Sequence, residues 1–215
     1  MARWRFRHLA VLWLCPAVAL ADRGAVSVEG GAGWTTLNQP APYAKPSAAT
    51  LGGAASFSLG GRYGLSNDYE LSLAGFFEPP VTYFHNSITI ATSSGNFPGT
   101  LSEQQMRMGA LLGLKRVWGS VFRFSLGLDA GWSHRAYSKL SALNDTHPNA
   151  IAAYDGLKLP DYSTDNVVVA PMAGLEWALG DYSSVSVCQR VEFLLGKEST
   201  WAVSVPVTFA WSWYL

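Results

Sequence analysis

Trp201–Leu215 reads W-A-V-S-V-P-V-T-F-A-W-S-W-Y-L, and its two alternating sets of side chains differ in kind. Trp201, Val203, Val205, Val207, Phe209, Trp211, Trp213 and Leu215 form one set; Ala202, Ser204, Pro206, Thr208, Ala210, Ser212 and Tyr214 form the other. Successive side chains of a strand leave opposite faces, so this period of two predicts a β-strand with one apolar, tryptophan-rich face and one small or polar face. A water-soluble fold would have to cover the apolar face with a second sheet. Lipid covers it without one.

Seven earlier stretches repeat the pattern: 25–37, 50–63, 69–77, 104–118, 120–132, 165–179 and 184–196. In 120–132, for instance, Phe122, Phe124, Leu126, Leu128 and Trp132 alternate with Arg123, Ser125 and Asp129. Eight segments of about ten alternating residues, separated by turn residues, are the signature of a transmembrane β-barrel. The connections also alternate. Those near 64–68, 117–119 and 180–183 are short and rich in Gly, Ser, Asn or Asp, whereas 38–49, 78–103 and 133–164 are long; 197–200 is short. The expectation is an all-β chain: an eight-stranded antiparallel up-and-down transmembrane β-barrel, with long external loops and short periplasmic turns. Within 78–103, the stretch 82–100 could prolong the third hairpin above the membrane, where exposed strand edges invite partners.

The other end of the chain gives a compatible signal. Arg3, Arg5, Arg7 and His8 precede the apolar run Leu9–Leu14 and then Ala19-Leu20-Ala21, the layout of a cleavable signal peptide over residues 1–21. A lipoprotein signal at Cys15 is the rival, but Leu14 before it is not small and Pro16 follows. Residues 22–215 are then one barrel domain. Removing 1–21 takes three arginines and no acid from 15 bases and 15 acids, leaving a net charge of −3, so no nucleic-acid surface is expected. Cys188 remains as a single cysteine, which rules out an internal disulfide. No later segment has the roughly 20 apolar residues a membrane helix needs.

Assigning the apolar parity outward sorts the large aromatics into two girdles, as amphipathic rings favour the headgroup level. Trp34, Phe77, Trp132 and Trp201 lie beside the long loops; Tyr63, Tyr69, Trp118, Trp177, Trp211 and Trp213 lie near the short turns. The inward parity carries Glu29, Arg62, Glu70, Arg107, Lys115, Arg123, Asp129, Glu176, Arg190 and Glu192, five acids and five bases. An eight-stranded barrel has room for little beyond side chains. These ten are therefore expected to pair as a structural charge network that plugs the lumen, with a narrow pore or a proton or ion path, or else a catalytic carboxylate, as the alternatives.

No catalytic, cofactor-binding or metal-binding residue is assigned, and no cofactor. The histidines beyond the signal peptide, His85, His134 and His147, lie in or beside the long loops. Ser133 and His134 are neighbours on a strand and should face apart. His85 and Ser87 could share a face, yet a hydrolase also needs an orienting carboxylate. Cys188, at inward parity, reads as a small buried filler. The paired glycines 30–31, 52–53 and 60–61 lie within strands, where they permit bends and close approach.

The leader, the eight alternating strands and the tryptophan-rich terminal strand resemble the small eight-stranded outer-membrane β-barrel proteins of Gram-negative bacteria. The likeness is one of architecture. It implies an outer-membrane location, the lipid bilayer as surroundings, and recognition of the terminal strand by the barrel assembly machinery. That strand usually closes on an aromatic residue; here Leu215 follows Trp213, Trp211 and Phe209 at alternate positions. Members of this group act as adhesins, surface-protective proteins, narrow pores, apolar-solute conduits or lipid-A-modifying enzymes, and fold does not choose among these. The residues point first to a non-enzymatic surface or interaction barrel whose loops 38–49, 78–103 and 133–164 meet an extracellular ligand or protein. A narrow pore or conduit for small solutes, a lipid-A-modifying enzyme, and a soluble secreted barrel with its apolar parity inside are the alternatives.

Overall fold

A computed structural model describes residues 23–92, 95–143 and 157–214. The proposed leader 1–21, His147 and Leu215 lie outside the described residues. The strands are β1 (Ala25–Pro40), β2 (Ala49–Gly64), β3 (Tyr69–Thr92), β4 (Gly95–Trp118), β5 (Phe122–Leu143), β6 (Leu157–Lys158), β7 (Tyr162–Ala178), β8 (Ser183–Gly196) and β9 (Thr200–Tyr214). Their order is β4-β3-β2-β1-β9-β8-β7-β5, and a β4–β5 pairing closes the ring. Eight antiparallel strands thus form a barrel, while the two-residue β6 rests on Ser141 and Ala142. The first and last strands meet at Ala25↔Tyr214.

The apolar parity faces out. Val28, Leu59, Leu73, Leu112, Leu128, Val167 and Val207 are each about half exposed or more, while alternate positions are buried. All ten predicted girdle aromatics are exposed. A soluble barrel would have the reverse. The outward Arg116 lies at the short-turn end, its guanidinium 5.8 Å from the ring of Tyr69 and 5.1 Å from that of Trp118. A long basic side chain at that level keeps its charge in the interface while its stem lies on apolar surface.

Strands replace much of the expected long loops. β3 runs on to Thr92 and β4 begins at Gly95, so 78–103 is mostly a paired hairpin; β5 likewise runs to Leu143. The fifteen residues Glu78–Thr92 amount to roughly 50 Å of strand at about 3.3 Å per residue, well above the Phe77 girdle level. The reason the alternation was invisible there is local. β3 shifts register against β4 between Glu78 and Val81 and again between His85 and Ile88. Each shift inverts which parity faces in, and Ser/Thr/Gly content did the rest.

Candidate functional site: the lumen and the wall above it

The ten inward charges come from seven strands and meet in the lumen. Toward the short-turn end, Arg62 is the hub. Its two terminal nitrogens donate to both oxygens of Glu176 at 2.9 and 3.0 Å, and its Nε lies 3.1 Å from Glu29. Glu70 receives Lys115 Nζ at 3.0 Å and is also paired to Arg123, whose second nitrogen lies 3.3 Å from Glu176. Arg190 donates to Asp129 at 2.7 Å. Farther toward the long-loop end, Arg107 pairs with Glu192 and with Glu78 at 3.1 Å, and its Nε donates to Ser133 at 3.0 Å. Bidentate and charge-assisted bonds are the strong class, and they offset the loss of hydration that burial imposes.

Inward glycines make the space for these side chains. A Cβ on Gly113 would sit 2.0 Å from Asp129 Oδ1 and 2.5 Å from Ser72 Oγ; one on Gly127 would meet Lys115 Cβ at 2.7 Å. One on Gly109 would press into the Phe76 ring at 2.7 Å. In a barrel this narrow, a large inward residue on one strand requires a missing side chain on its neighbour.

Phe76 and Glu78 were not among the sequence assignments, although Phe76 continues the inward set Glu70, Ser72, Ala74. The Phe76 ring lies under the Arg107 guanidinium at 4.7 Å and packs on Leu37, Leu111, Val168, Ala170, Leu194 and Ala202. Those residues come from β1, β4, β7, β8 and β9, so an apolar layer crosses the lumen beside the Arg107 cluster. Among the described residues, small cavities of about 20 and 30 Å³ are each lined in part by Arg190. Each has room for about one or two waters. Cys188 lines the second and is buried.

Above this layer stands a second polar group. His85 is fully buried, with Nδ1 2.9 Å from Thr50 Oγ1 and Nε2 3.0 Å from Glu103 Oε1. Burial pushes the Glu103 carboxyl above its ordinary range, opposed by the His85 hydrogen bond. Arg135, also fully buried, donates to Asn166 Oδ1 and, at 2.8 Å, to the Glu198 carbonyl. Farther out, Ala41, Ile90, Leu101 and Ala142 form an apolar cluster with Tyr43 and Leu159 packed on it.

The serine–histidine pairs do not form. Ser87 sits in the β3 register shift at φ 55°, exposed, while His85 turns inward to Thr50 and Glu103. The bulge is what parts them. Ser133 is buried against Arg107, whereas His134 faces out and lies 2.9 Å from Asp165, which also accepts from Trp132 Nε1 at 3.0 Å. Thr50, His85 and Glu103 do make a hydroxyl–imidazole–carboxylate chain, the order used for nucleophile activation. Here the imidazole and carboxylate are sealed from solvent. Among the described residues no cluster of three or more His, Cys, Asp or Glu could hold a metal ion.

No protein-family model and no curated protein matches the chain. Solved structures do. Ail, the attachment invasion locus protein of Yersinia pestis, in complex with the heparin analogue sucrose octasulfate, superposes with a TM-score of 0.51 at 12% identity, over 89% of this chain and 99% of that one. Neisserial surface protein A gives 0.50 at 11% identity, over 88% and 99%. At such identities the likeness speaks for architecture, and the architecture is that of the eight-stranded outer-membrane β-barrels of Gram-negative bacteria.

Proposed function

We propose that the chain is a non-enzymatic barrel of the bacterial outer membrane, with a closed lumen, that acts through the wall and loops it raises above the membrane. The observation that carries this is the filling of the cross-section. Arg107, Glu78, Glu192, Phe76 and Leu111 pack together inside the barrel at one level, and the Arg62 hub does so at another, which supports a filled cross-section. In contrast, β3, β4 and β5 continue outward as paired sheet. The outward Trp- and Leu-rich face supports a lipid setting, and loops 38–49, 78–103 and 133–164 are the surface for an extracellular ligand or protein. The alternating aromatics of β9 fit recognition by the barrel assembly machinery, and residues 1–21 fit a leader removed on export.

Planar-bilayer recording of the full chain tests the lumen. We expect no resolvable steady current, and a stable single-channel current would overturn the closed-lumen reading in favour of the pore. Outer-membrane fractionation with a heat-modifiability gel tests the setting; a protein freely soluble in periplasmic extract would overturn it. Replacing Val81–Gln104 by a two-residue turn should leave the barrel folded and abolish whole-cell adhesion to immobilised host matrix. Unchanged adhesion would remove the wall from the function.

A further inference from the structure

The upper polar group lies between two apolar layers. Along β1 the successive buried positions are Leu37, Gln39 and Ala41; Leu37 belongs to the layer that crosses the lumen, and Ala41 to the cluster with Ile90, Leu101 and Ala142. β1 and β5 stand opposite each other, four strands apart in either direction around the ring. By joining a cluster with Ala142 of β5, the chain leaving β1 therefore reaches across the mouth. Residues 41–48 are pinned there at three points. Lys45 N–H donates to the Thr89 carbonyl at 2.9 Å, Ala91 N–H to the Tyr43 carbonyl at 2.7 Å, and the Tyr43 hydroxyl to the Pro160 carbonyl at 3.0 Å.

What this segment covers is short of partners. Among the described residues, Gln39 Oε1, Glu103 Oε2, Gln105 Oε1, Arg135 Nη1, Tyr137 OH and Asn166 Nδ2 are buried without a hydrogen bond, and none of these six residues is more than 4% exposed. Sealed donors and acceptors left unpaired cost free energy, so the closed arrangement depends on the apolar cluster and the pins above it. One pin is itself strained: Tyr43 stands at φ 64°, a left-handed conformation that a tyrosine adopts only at a cost. Its ring lies edge-on to Tyr162 at 6.5 Å, the Tyr162 ring lies 5.6 Å from that of Tyr137, and the Arg135 guanidinium lies 5.9 Å from the Tyr137 ring. Three rings thus lead from the outer end of β7 to a buried cation.

We infer that residues 41–48 are a lid over a binding site for a small neutral sugar, whose ring takes the place that the Tyr43 ring holds in the closed state. Lifting the lid withdraws a six-membered ring and its hydroxyl from beside Tyr162, and that supplies the room. The unpaired set selects the class of ligand. It mixes donors with acceptors, and the charges around it have both signs: Lys197 Nζ lies 5.5 Å from the Tyr162 ring, and Glu198 Oε2 lies 4.0 Å from Arg135. An anion would meet Glu198 and Glu103, and a cation would meet Arg135 and Lys197. A hydroxyl both donates and accepts, so a pyranose satisfies a mixed set, while its C–H faces suit tyrosine rings. The inference rests on the outer-membrane reading and gives its loop surface a ligand class; it asks nothing of the lumen below the Phe76 layer.

The test uses the full chain folded in lauryldimethylamine oxide micelles, with saturation-transfer NMR of methyl β-D-glucopyranoside and of the charged sugars D-glucuronate and D-glucosamine. The glucoside should bind, and each charged sugar should bind at least about tenfold more weakly, because it brings a like charge to a buried one. Tyr43→Phe removes the hydrogen bond to Pro160 and should tighten glucoside binding by roughly two- to tenfold; Tyr43→Ala also removes the competing ring and should tighten it further. In a Cys188→Ala background, Ala44→Cys with Ile90→Cys joins the two positions that bridge lid and wall, so oxidation should abolish binding and reduction restore it. A folded chain with no saturation transfer to the glucoside in the parent and both Tyr43 variants, equal binding of the three sugars, or binding indifferent to the oxidised cross-link would overturn the lid site and leave the barrel standing. Absence of a heat-modifiable band would sink the barrel reading and the lid with it. Hydrogen exchange gives an independent arm: the Lys45 and Ala91 amides should exchange roughly two- to tenfold faster in Tyr43→Phe while the β1–β9 ladder keeps its protection, and unchanged exchange would refute the latch.

Discussion

The Arg62 group near the short turns and the Arg135 group above the apolar layer are both buried and both built around an arginine, but they are balanced differently. Arg62 is surrounded by Glu29, Glu70 and Glu176, with Lys115 and Arg123 sharing the same acids. Arg135 is held mainly by neutral acceptors, Asn166 Oδ1 and the Glu198 carbonyl, with the Glu198 carboxylate no nearer than 4.0 Å. The first is a closed ionic lattice in which every charge depends on its neighbours. The second is a set of hydrogen bonds to neutral acceptors. An ionic lattice fails as a unit; a hydrogen-bonded group fails one bond at a time.

That difference is open to attack by mutation. Arg62→Ala leaves buried carboxylates short of a partner, Glu29 most of all, and should cost about 3–5 kcal/mol, read as a lowered urea midpoint of the heat-modifiable folded band. Arg135→Ala should cost less, about 1–2 kcal/mol, because it strands a carbonyl, an amide and a partly exposed carboxylate rather than an enclosed one. Equal losses in the two variants would erase the contrast. Gly113→Ala sharpens the lower group from the side of volume. Its methyl must displace Asp129 from Arg190, and we expect about 1–3 kcal/mol in the same urea assay.

The smallest effect belongs to Glu103. Its carboxyl is raised in the folded chain, so the folded state holds the proton to higher pH than the unfolded one. Its contribution to stability is then complete below the ordinary value of 4.5 and is lost as pH rises through the raised value. Glu103→Gln keeps an oxygen for His85 Nε2 and removes the titration. The variant should lie within about 1 kcal/mol of the parent and lose less stability between pH 4 and pH 8. A steeper loss in the variant would mean that the charged His85–Glu103 pair stabilises the upper group after all.

How much of this could be read from residues alone follows the same division. The lower lumen was legible because β1, β2 and the lower parts of β3 to β5 keep strict alternation, so Glu29, Arg62, Glu70, Lys115 and Arg123 announce their face by parity. Parity also placed Arg107, Asp129, Glu176, Arg190 and Glu192. It could not say which charge meets which, because that depends on the stagger between strands. Above Phe77 the alternation breaks. On β3 the inward residues pass from Glu78 to Val81, Tyr83 and His85, then to Ile88 and Ile90; on β5 they pass from Tyr137 to Leu140 near Lys139, whose φ is 51°. Each bulge reverses the pattern within a few residues. That leaves His85 and Glu103 looking like loop positions, while Thr50 stands at the edge of the expected strand 50–63 with nothing to mark its partner. Pro79-Pro80 was the one readable sign, a double proline where a central strand would need its N–H groups.

The pairing of β1 with β9 joins residues 189 positions apart at Ala25↔Tyr214. Every other wall of the ring joins segments that can meet earlier along the chain. Closure is therefore the pairing with the largest loop to close, and without it two full-length strand edges stand open together. A nascent barrel of this kind has no partly closed refuge: it is either a ring or an adhesive sheet with two sticky margins. The speed with which Trp201–Tyr214 finds β1 sets how long those two edges stay open.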